Sequence, residues 1–294
     1  MQVGTLCVPL TARSAGERIP RRAWNEGKKC METIFLKLGG SLITDKTQVE
    51  TVRADVLARL AGEITQARRE NPALRLVLGH GSGSFGHVAG AKHGTRQGVR
   101  DATGWRGFAE VSDAAARLNR QVLAALLAAE VTAVSLSPSA SVGCVDGRIH
   151  TIASQPVQAA LDAGIVPVVY GDVAFDSVRG GTIVSTEEVM MALAGEIRPS
   201  WLLLAGETTG VYDQSGQVIP TISRANYAEI EAALGGSRGT DVTGGMASKV
   251  QGMLALVDQF PQLSIRIFSG LQPGNLAQTL LHPSQTEGTL LYAD

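Results

Sequence analysis

Three lysines and a recurring pairing of glycines are the residues of this sequence best suited to chemistry. Lys37-x-Gly39-Gly40-Ser41 is followed closely by Lys46. Paired glycines let backbone N–H groups close on an anion, and lysines at both ends add point charges. Lys37 also lies inside an apolar run, where a charge is costly unless it is paired. A second glycine-rich stretch, LVLGHGSGSFGH at residues 76–87, contains Gly81, Gly83 and Gly86 at the G-x-G-x-x-G spacing of a dinucleotide loop. That reading requires an acid ending the next strand about 20 residues on. The acid at that distance, Asp101, lies in GVRDATGW, which has no strand character. The loop is therefore read as an anion cradle, with His87 at its end as a donor to phosphate oxygen and His80 as a structural histidine. A third apolar run, residues 165–170, ends in Gly171-Asp172, where an acid can orient lysines or help position a metal-bound phosphate. The fourth stretch, GTDVTGGMASK at 239–249, leads through Gly244-Gly245 into a helix carrying Lys249 about one turn inside, an arrangement suited to anions. No Walker A motif and no cysteine or serine nucleophile motif occurs. Cations, glycine-lined anion cradles and one well-placed acid point to phosphoryl transfer, whose catalysis is mostly positioning and cationic clamping.

These residues must be held by strand ends. Short apolar runs at 33–38, 74–79, 131–136, 165–170, 201–205 and 264–269 alternate with segments of helical period at 52–69, 108–129, 187–197 and 246–260. Such alternation predicts an α/β fold with a mostly parallel sheet, and ligands bind at the carboxyl ends of its strands. Two places interrupt the pattern, CVDGRIH around Asp146-Gly147 and VAFDSVRGGTIVS around Gly180-Gly181. Both read as β-hairpins whose Asp-Gly and Gly-Gly pairs supply positive φ.

The bulk numbers narrow the partners. The 294-residue chain, 44% hydrophobic, can bury a sizeable core. With 26 basic and 27 acidic residues it lacks the basic excess of a nucleic-acid binder. The longest apolar stretch, 122–136, is interrupted by Glu130 and Thr132 and falls short of the roughly 18 residues of a membrane span. Three cysteines without a C-x-x-C pair fit a reducing, cytoplasmic setting, and no residues are assigned as metal ligands. Residues 1–30 show no periodicity and read as a flexible extension before a single domain over 31–294. Their arginines fit a targeting peptide, and Met31 before the first strand fits a later start codon.

The chain resembles the isopentenyl phosphate kinases of the amino acid kinase superfamily. The shared motifs are K-x-G-G-S-x-x-T-D-K at 37–46, H-G-x-G-S-F-G-H at 80–87, ARLNR at 116–120, VSLSPS at 134–139, PVVYGDV at 167–173 and TDVTGGMASK at 240–249. The resemblance implies a three-layer α/β/α sandwich, usually a homodimer, with an acceptor site on the N-terminal lobe and a nucleotide site on the C-terminal lobe. It implies that Lys37, Gly39, Gly40, Ser41, Gly83, Gly210, Gly245 and Lys249 bind ATP. Gly81, Ser82, Gly86, His87, Gly171 and Ser185 would line the acceptor phosphate. Lys46 would stabilise the transferring group, Asp172 would organise the lysines, and Mg²⁺ would accompany ATP. The prenyl tail would lie beyond His87 against the 108–129 helix. Two departures stand out: AGETTGVY at 205–212 replaces an acidic stretch, and STEEV at 185–189 has Glu187 and Glu188 where aspartates are usual. A phosphate monoester, with its second pKa near 6, is already largely dianionic at neutral pH and attacks without a general base. A kinase of another small phosphate or phosphonate such as fosfomycin, or a catalytically silent nucleotide-binding module, are the alternative readings.

Overall fold

The structure is a computed structural model, described for residues 32–234 and 245–294; within these, the side chains of 87–89, 91, 92, 232–234 and 245–248 are not described. The expected extension over 1–30 lies outside the described residues. In chain order the strands are β1 (Thr33–Leu38), β2 (Thr44–Asp45), β3 (Thr51–Val52), β4 (Arg75–His80), β5 (Ala133–Ser135), β6 (Val142–Val145), β7 (Arg148–Ile152), β8 (Val166–Tyr170), β9 (Asp172–Asp176), β10 (Gly180–Val184), β11 (Trp201–Gly206), β12 (Thr221–Ile222), β13 (Ser264–Ser269) and β14 (Thr289–Leu291). The helices are α1 (Gly40–Ile43), α2 (Ala54–Glu70), α3 (Gly83–His93), α4 (Ala102–Ala128), α5 (Pro138–Ser141), α6 (Gln155–Asp162), α7 (Thr186–Ile197), α8 (Arg224–Leu234), α9 (Gly245–Gln259) and α10 (Asn275–Leu281).

Eight strands form one sheet in the order β12-β14-β13-β11-β1-β4-β8-β5. Its neighbours run parallel except β13 and β14. Alternate side chains of a strand face opposite sides of a sheet, and here both sides are covered, so the strands read as continuous apolar runs. Phe35, Val77, Val169 and Leu202 pack against α6, α7 and α9. Ile34, Leu36, Leu38, Leu76 and Leu78 pack against α2, α4 and α10. The expected three-layer sandwich is thus present. Lys37, two residues beyond Phe35, emerges on the α7 and α9 side.

From β1 the chain first builds outward through β4, and returns on β1's other flank as β11. The ligand crevice of an open α/β sheet opens at such a reversal. The Gly39 N–H donates across it to the Ala205 carbonyl at 2.8 Å.

A second sheet, β10-β9-β6-β7, is assembled from both expected hairpins. Asp146 and Gly147 take φ of +48° and +77° and make the β6–β7 turn as expected. In the other hairpin the turn is displaced. Gly180 (φ +76°) already pairs with Asp176, so Ser177, Val178 and Arg179 form the loop. The Asp176 carboxylate explains the shift: it accepts from the N–H groups of Val178 and Arg179 at 2.8 Å, and from Asp146 and Gly147 of the neighbouring turn at 3.1 and 2.6 Å. Burial opposes its ionisation, and these four backbone donors outweigh that and hold its pKa low. The long helix starts at Ala102, earlier than its apolar periodicity indicates, because Asp101 caps it by accepting from the Gly104 N–H at 2.7 Å. Asp101 therefore ends no strand, in line with rejection of the dinucleotide reading.

Candidate active site

The carboxyl ends of β1, β4 and β8 bring three glycine-bearing segments together. After β1, Gly39-Gly40 passes straight into α1 instead of forming an open loop. After β4, the loop expected over 80–87 is shorter than its composition implies, since α3 begins at Gly83. These two chain reversals touch backbone to backbone. A Cβ on Gly40 would lie 2.4 Å from the Gly83 nitrogen, and one on Gly81 would lie 2.6 Å from the Gly40 nitrogen. Gly83 has φ +49°, which a residue with a side chain adopts only at a cost. Thr44 locks the junction: its hydroxyl donates to the Gly40 carbonyl at 2.7 Å and accepts from the Ser84 N–H at 3.0 Å. Gly86 faces Ser82 across the first turn of α3, and Gly171 sits against Thr186 at the start of α7. Ser41 lies half-buried in α1.

Lys37 meets an acid, though not the expected one. Its ammonium lies 2.7 Å from Glu187 Oε1 in the first turn of α7. Burial raises the Glu187 pKa, but the Lys37 charge and hydrogen bond, with Lys249 as a further cation, hold it below its ordinary value. One carboxylate on α7 thus holds the β1 lysine and also feels the charge of Lys249 on α9. Asp172, expected to organise the lysines, is engaged elsewhere. Fully buried at the β8–β9 junction, it accepts from the Ser137 hydroxyl at 3.1 Å, the Ser139 N–H at 3.4 Å and its neighbour Val173 N–H at 2.8 Å. Burial pushes its pKa up. It braces the segment after β5 against the sheet end.

Ser185 is the N-cap of α7. Its hydroxyl accepts from the Glu188 N–H at 3.2 Å while the Glu188 carboxylate accepts from the Ser185 N–H at 2.7 Å, a capping box that occupies the side chain expected at the acceptor. Glu188 also holds Arg96 through two hydrogen bonds, at 2.6 and 2.8 Å, tying the segment after α3 to the start of α7. Lys46 lies exposed between β2 and β3. That hairpin is anchored at its far end, where Arg53 pairs with Glu207 at 2.9 Å, so the acid in the altered 205–212 stretch faces the hairpin. Gly210 is buried against Thr289 and Val218. The His87 side chain and residues 239–244 lie outside what is described; Gly245 begins α9 and Lys249 follows one turn later. Sequence reasoning missed the Glu187 role, although the buried charge of Lys37 was a signal that a carboxylate must come to it.

Among the described residues no three His, Cys, Asp or Glu side chains cluster as a metal site, and no helix is long and apolar enough to cross a membrane. The arrangement places the Lys37 ammonium and two closely packed glycine reversals at the same end of the sheet.

Comparison with known proteins identifies the family and the fold. Residues 32–269 match the model of the amino acid kinase family. A Haloferax volcanii protein named isopentenyl phosphate kinase is 41% identical over 229 residues, 77% of this chain and 89% of its own length. A Methanothermobacter thermautotrophicus protein of the same name is 33% identical over 259 residues, 84% of this chain and 95% of its own. A solved structure described as isopentenyl phosphate kinase superimposes with a TM-score of 0.74 at 29% identity, covering 88% of this chain and 99% of that one.

Proposed function

This chain belongs to the amino acid kinase family, and from that premise we propose that it phosphorylates isopentenyl phosphate with ATP, giving isopentenyl diphosphate and ADP. The observation that carries the reading is the glycine junction of Gly40, Gly81 and Gly83 beside the Lys37–Glu187 pair. Two chain reversals that only glycine lets approach so closely, at the strand ends beside a fixed ammonium, suit the positioning of two phosphate groups that repel each other. The names borne by the relatives point to the same acceptor.

An oxygen of the acceptor phosphate bonds to the γ-phosphorus while the bond from γ-phosphorus to the β–γ bridging oxygen breaks, and ADP leaves with that electron pair. The acceptor dianion needs no general base. Lys37, Gly39, Gly40, Ser41, Gly83, Gly245 and Lys249 hold the donor phosphates, with Gly210 supporting the nucleotide loop from beneath. Lys46 stabilises the group in flight. His87 with Gly81, Ser82 and Gly86 holds the acceptor phosphate, and Gly171 and Ser185 shape its border. Asp172 supports these segments from below, and Glu187 fixes Lys37. The donor lobe is the C-terminal half and the acceptor lobe the N-terminal half. Mg²⁺ accompanying ATP would neutralise part of the phosphate charge, and no side chain of this chain is assigned to hold it.

We place the protein in the cytoplasm as a homodimer. The exposed Trp105, Phe175 and Val178 supply an apolar face for a partner copy, and sedimentation of the full chain tests this. The decisive experiment offers the purified protein Mg·ATP with isopentenyl phosphate, dimethylallyl phosphate or fosfomycin, following ADP release and the diphosphate by phosphorus NMR. Preferred turnover of isopentenyl phosphate is expected. Preference for fosfomycin would move the reading to the phosphonate kinase, and no turnover of any acceptor would leave the silent module.

A further inference from the structure

His80 is the buried group that the mechanism above does not use. It ends β4, is almost completely inaccessible, and stacks on Tyr170 with ring centroids 5.4 Å apart and planes 5° apart. Both ring nitrogens are engaged. Nδ1 lies 3.1 Å from the Gly81 carbonyl oxygen, and Nε2 lies 3.1 Å from the Asn119 side-chain nitrogen in α4. Asn119 Oδ1 in turn accepts from the Ser135 hydroxyl at 2.6 Å.

The direction of every bond in this chain follows from its last member. A carbonyl only accepts, so Nδ1 must carry the hydrogen. Burial depresses the ring's pKa to about 4, with the neighbouring Lys37 charge adding to the effect, so the ring is neutral at working pH and Nε2 presents a lone pair. Asn119 must then turn its amide nitrogen to the ring and its oxygen to Ser135, which donates. Only one tautomer, one amide orientation and one hydroxyl orientation satisfy all four groups.

We propose that His80 is a positioning residue for phosphoryl transfer, acting through the Ser135–Asn119–His80 relay to fix the Gly81–Ser82 peptide in the glycine junction; this rests on the kinase reading above. A peptide unit is planar and trans. Holding the Gly81 carbonyl on the imidazole therefore turns the Ser82 N–H to the opposite side and sets the entry into α3. The backbone of His80 reaches the donor side as well. Its carbonyl accepts from the Thr186 hydroxyl at 2.6 Å, and the next residue is Glu187, which holds Lys37. One residue thus sets the spacing between the acceptor cradle and the lysine clamp.

Two readouts separate this from a core-filling role. In the intact protein labelled with ¹⁵N-histidine, His80 is assigned by its loss in His80→Asn. The signal expected is a protonated Nδ1 and an unprotonated Nε2; a protonated Nε2 overturns the relay. In kinetics, His80→Gln keeps a polar group near Asn119 but loses the donor to Gly81. Its kcat should fall roughly 10- to 100-fold while KM for ATP stays within about 3-fold. His80→Asn keeps an N–H at the Nδ1 position and should return kcat to within roughly 3-fold of the parent. Equal kcat in the two variants overturns the proposal. Should both fail to fold, Ser135→Ala loosens the outer end of the relay alone, and an unchanged kcat together with an unchanged tautomer signal overturns it. Inactivity of the parent protein toward every acceptor would instead sink the kinase reading, and the tautomer measurement would still judge the relay.

Discussion

Lys37 sits in a strand covered on both faces, and its ammonium has one carboxylate within 3 Å, Glu187. A lysine so placed is useful only while its position is fixed. If Glu187 fixes it, Glu187→Gln leaves the charge in place but frees its direction, and kcat for phosphoryl transfer should drop by roughly 10²-fold. Glu187→Asp, which keeps the charge one methylene short, should recover part of that loss. Steady-state rates with both substrates saturating check the pair, and a Gln variant at parental kcat would remove Glu187 from the machinery. That Lys37 needs a partner is legible in the sequence, because an ammonium in an apolar run is costly alone. Its identity is not legible, because the two residues are 150 positions apart and meet only where α7 packs on β1. Asp172 looked better placed since it follows its strand directly, yet its surroundings turn out to be serine hydroxyls and backbone amides.

At the scale of elements, α1 and α3 begin where two glycine pairs press against each other. Gly40→Ala would put a methyl 2.4 Å from the Gly83 nitrogen, and no flexible side chain is there to yield. One of the two reversals must move, so activity should fall by at least about 10²-fold, as misplacement of an ångström costs in a positioned site. The contrasting control is Gly62→Ala on α2, where an added methyl meets nothing within 4 Å. That substitution should raise stability by up to about 1 kcal/mol, with parental turnover, as read by denaturant titration. The capping box of α7 gives a third, smaller effect. Ser185→Ala removes the acceptor for the Glu188 N–H and should cost about 1 kcal/mol, with a shift in activity only if Glu187 loosens with the helix end. The long helices and the main sheet strands were readable from periodicity, down to the strand ends at Leu38 and Ser269, while short elements such as α1 and α3 were not. Their starts were less so, because capping by Asp101 and the displaced turn near Asp176 depend on side-chain oxygens finding backbone donors.

For the whole molecule, the buried groups predict how stability falls in acid. The folded His80 has its pKa depressed from 6.5 to about 4, so the unfolded chain binds a proton that the native state refuses. Stability is therefore fully present above about 6.5 and declines as pH falls toward about 4, by an amount on the order of 3 kcal/mol. Glu187, Glu188 and Asp176, held below their ordinary values, add a second loss that begins only as pH drops through the usual carboxylate range. Thermal melts between pH 7 and pH 4 should show the first decline in the parent protein and its absence in His80→Asn. A parental melt that is flat over this interval would contradict the buried, neutral imidazole.

By itself the sequence determined the α/β architecture and the strand ends that carry glycine and lysine, because hydrophobic period and turn chemistry are local properties that neighbouring residues share, while the family was legible through the resemblance of its motifs. Only the tertiary structure decided which carboxylate holds Lys37, that the two glycine pairs interlock, and that His80 is wired through Asn119 to Ser135. Those contacts join segments far apart in the chain, and whether two such residues meet is set by how helices dock on the sheet, which no short stretch of sequence encodes.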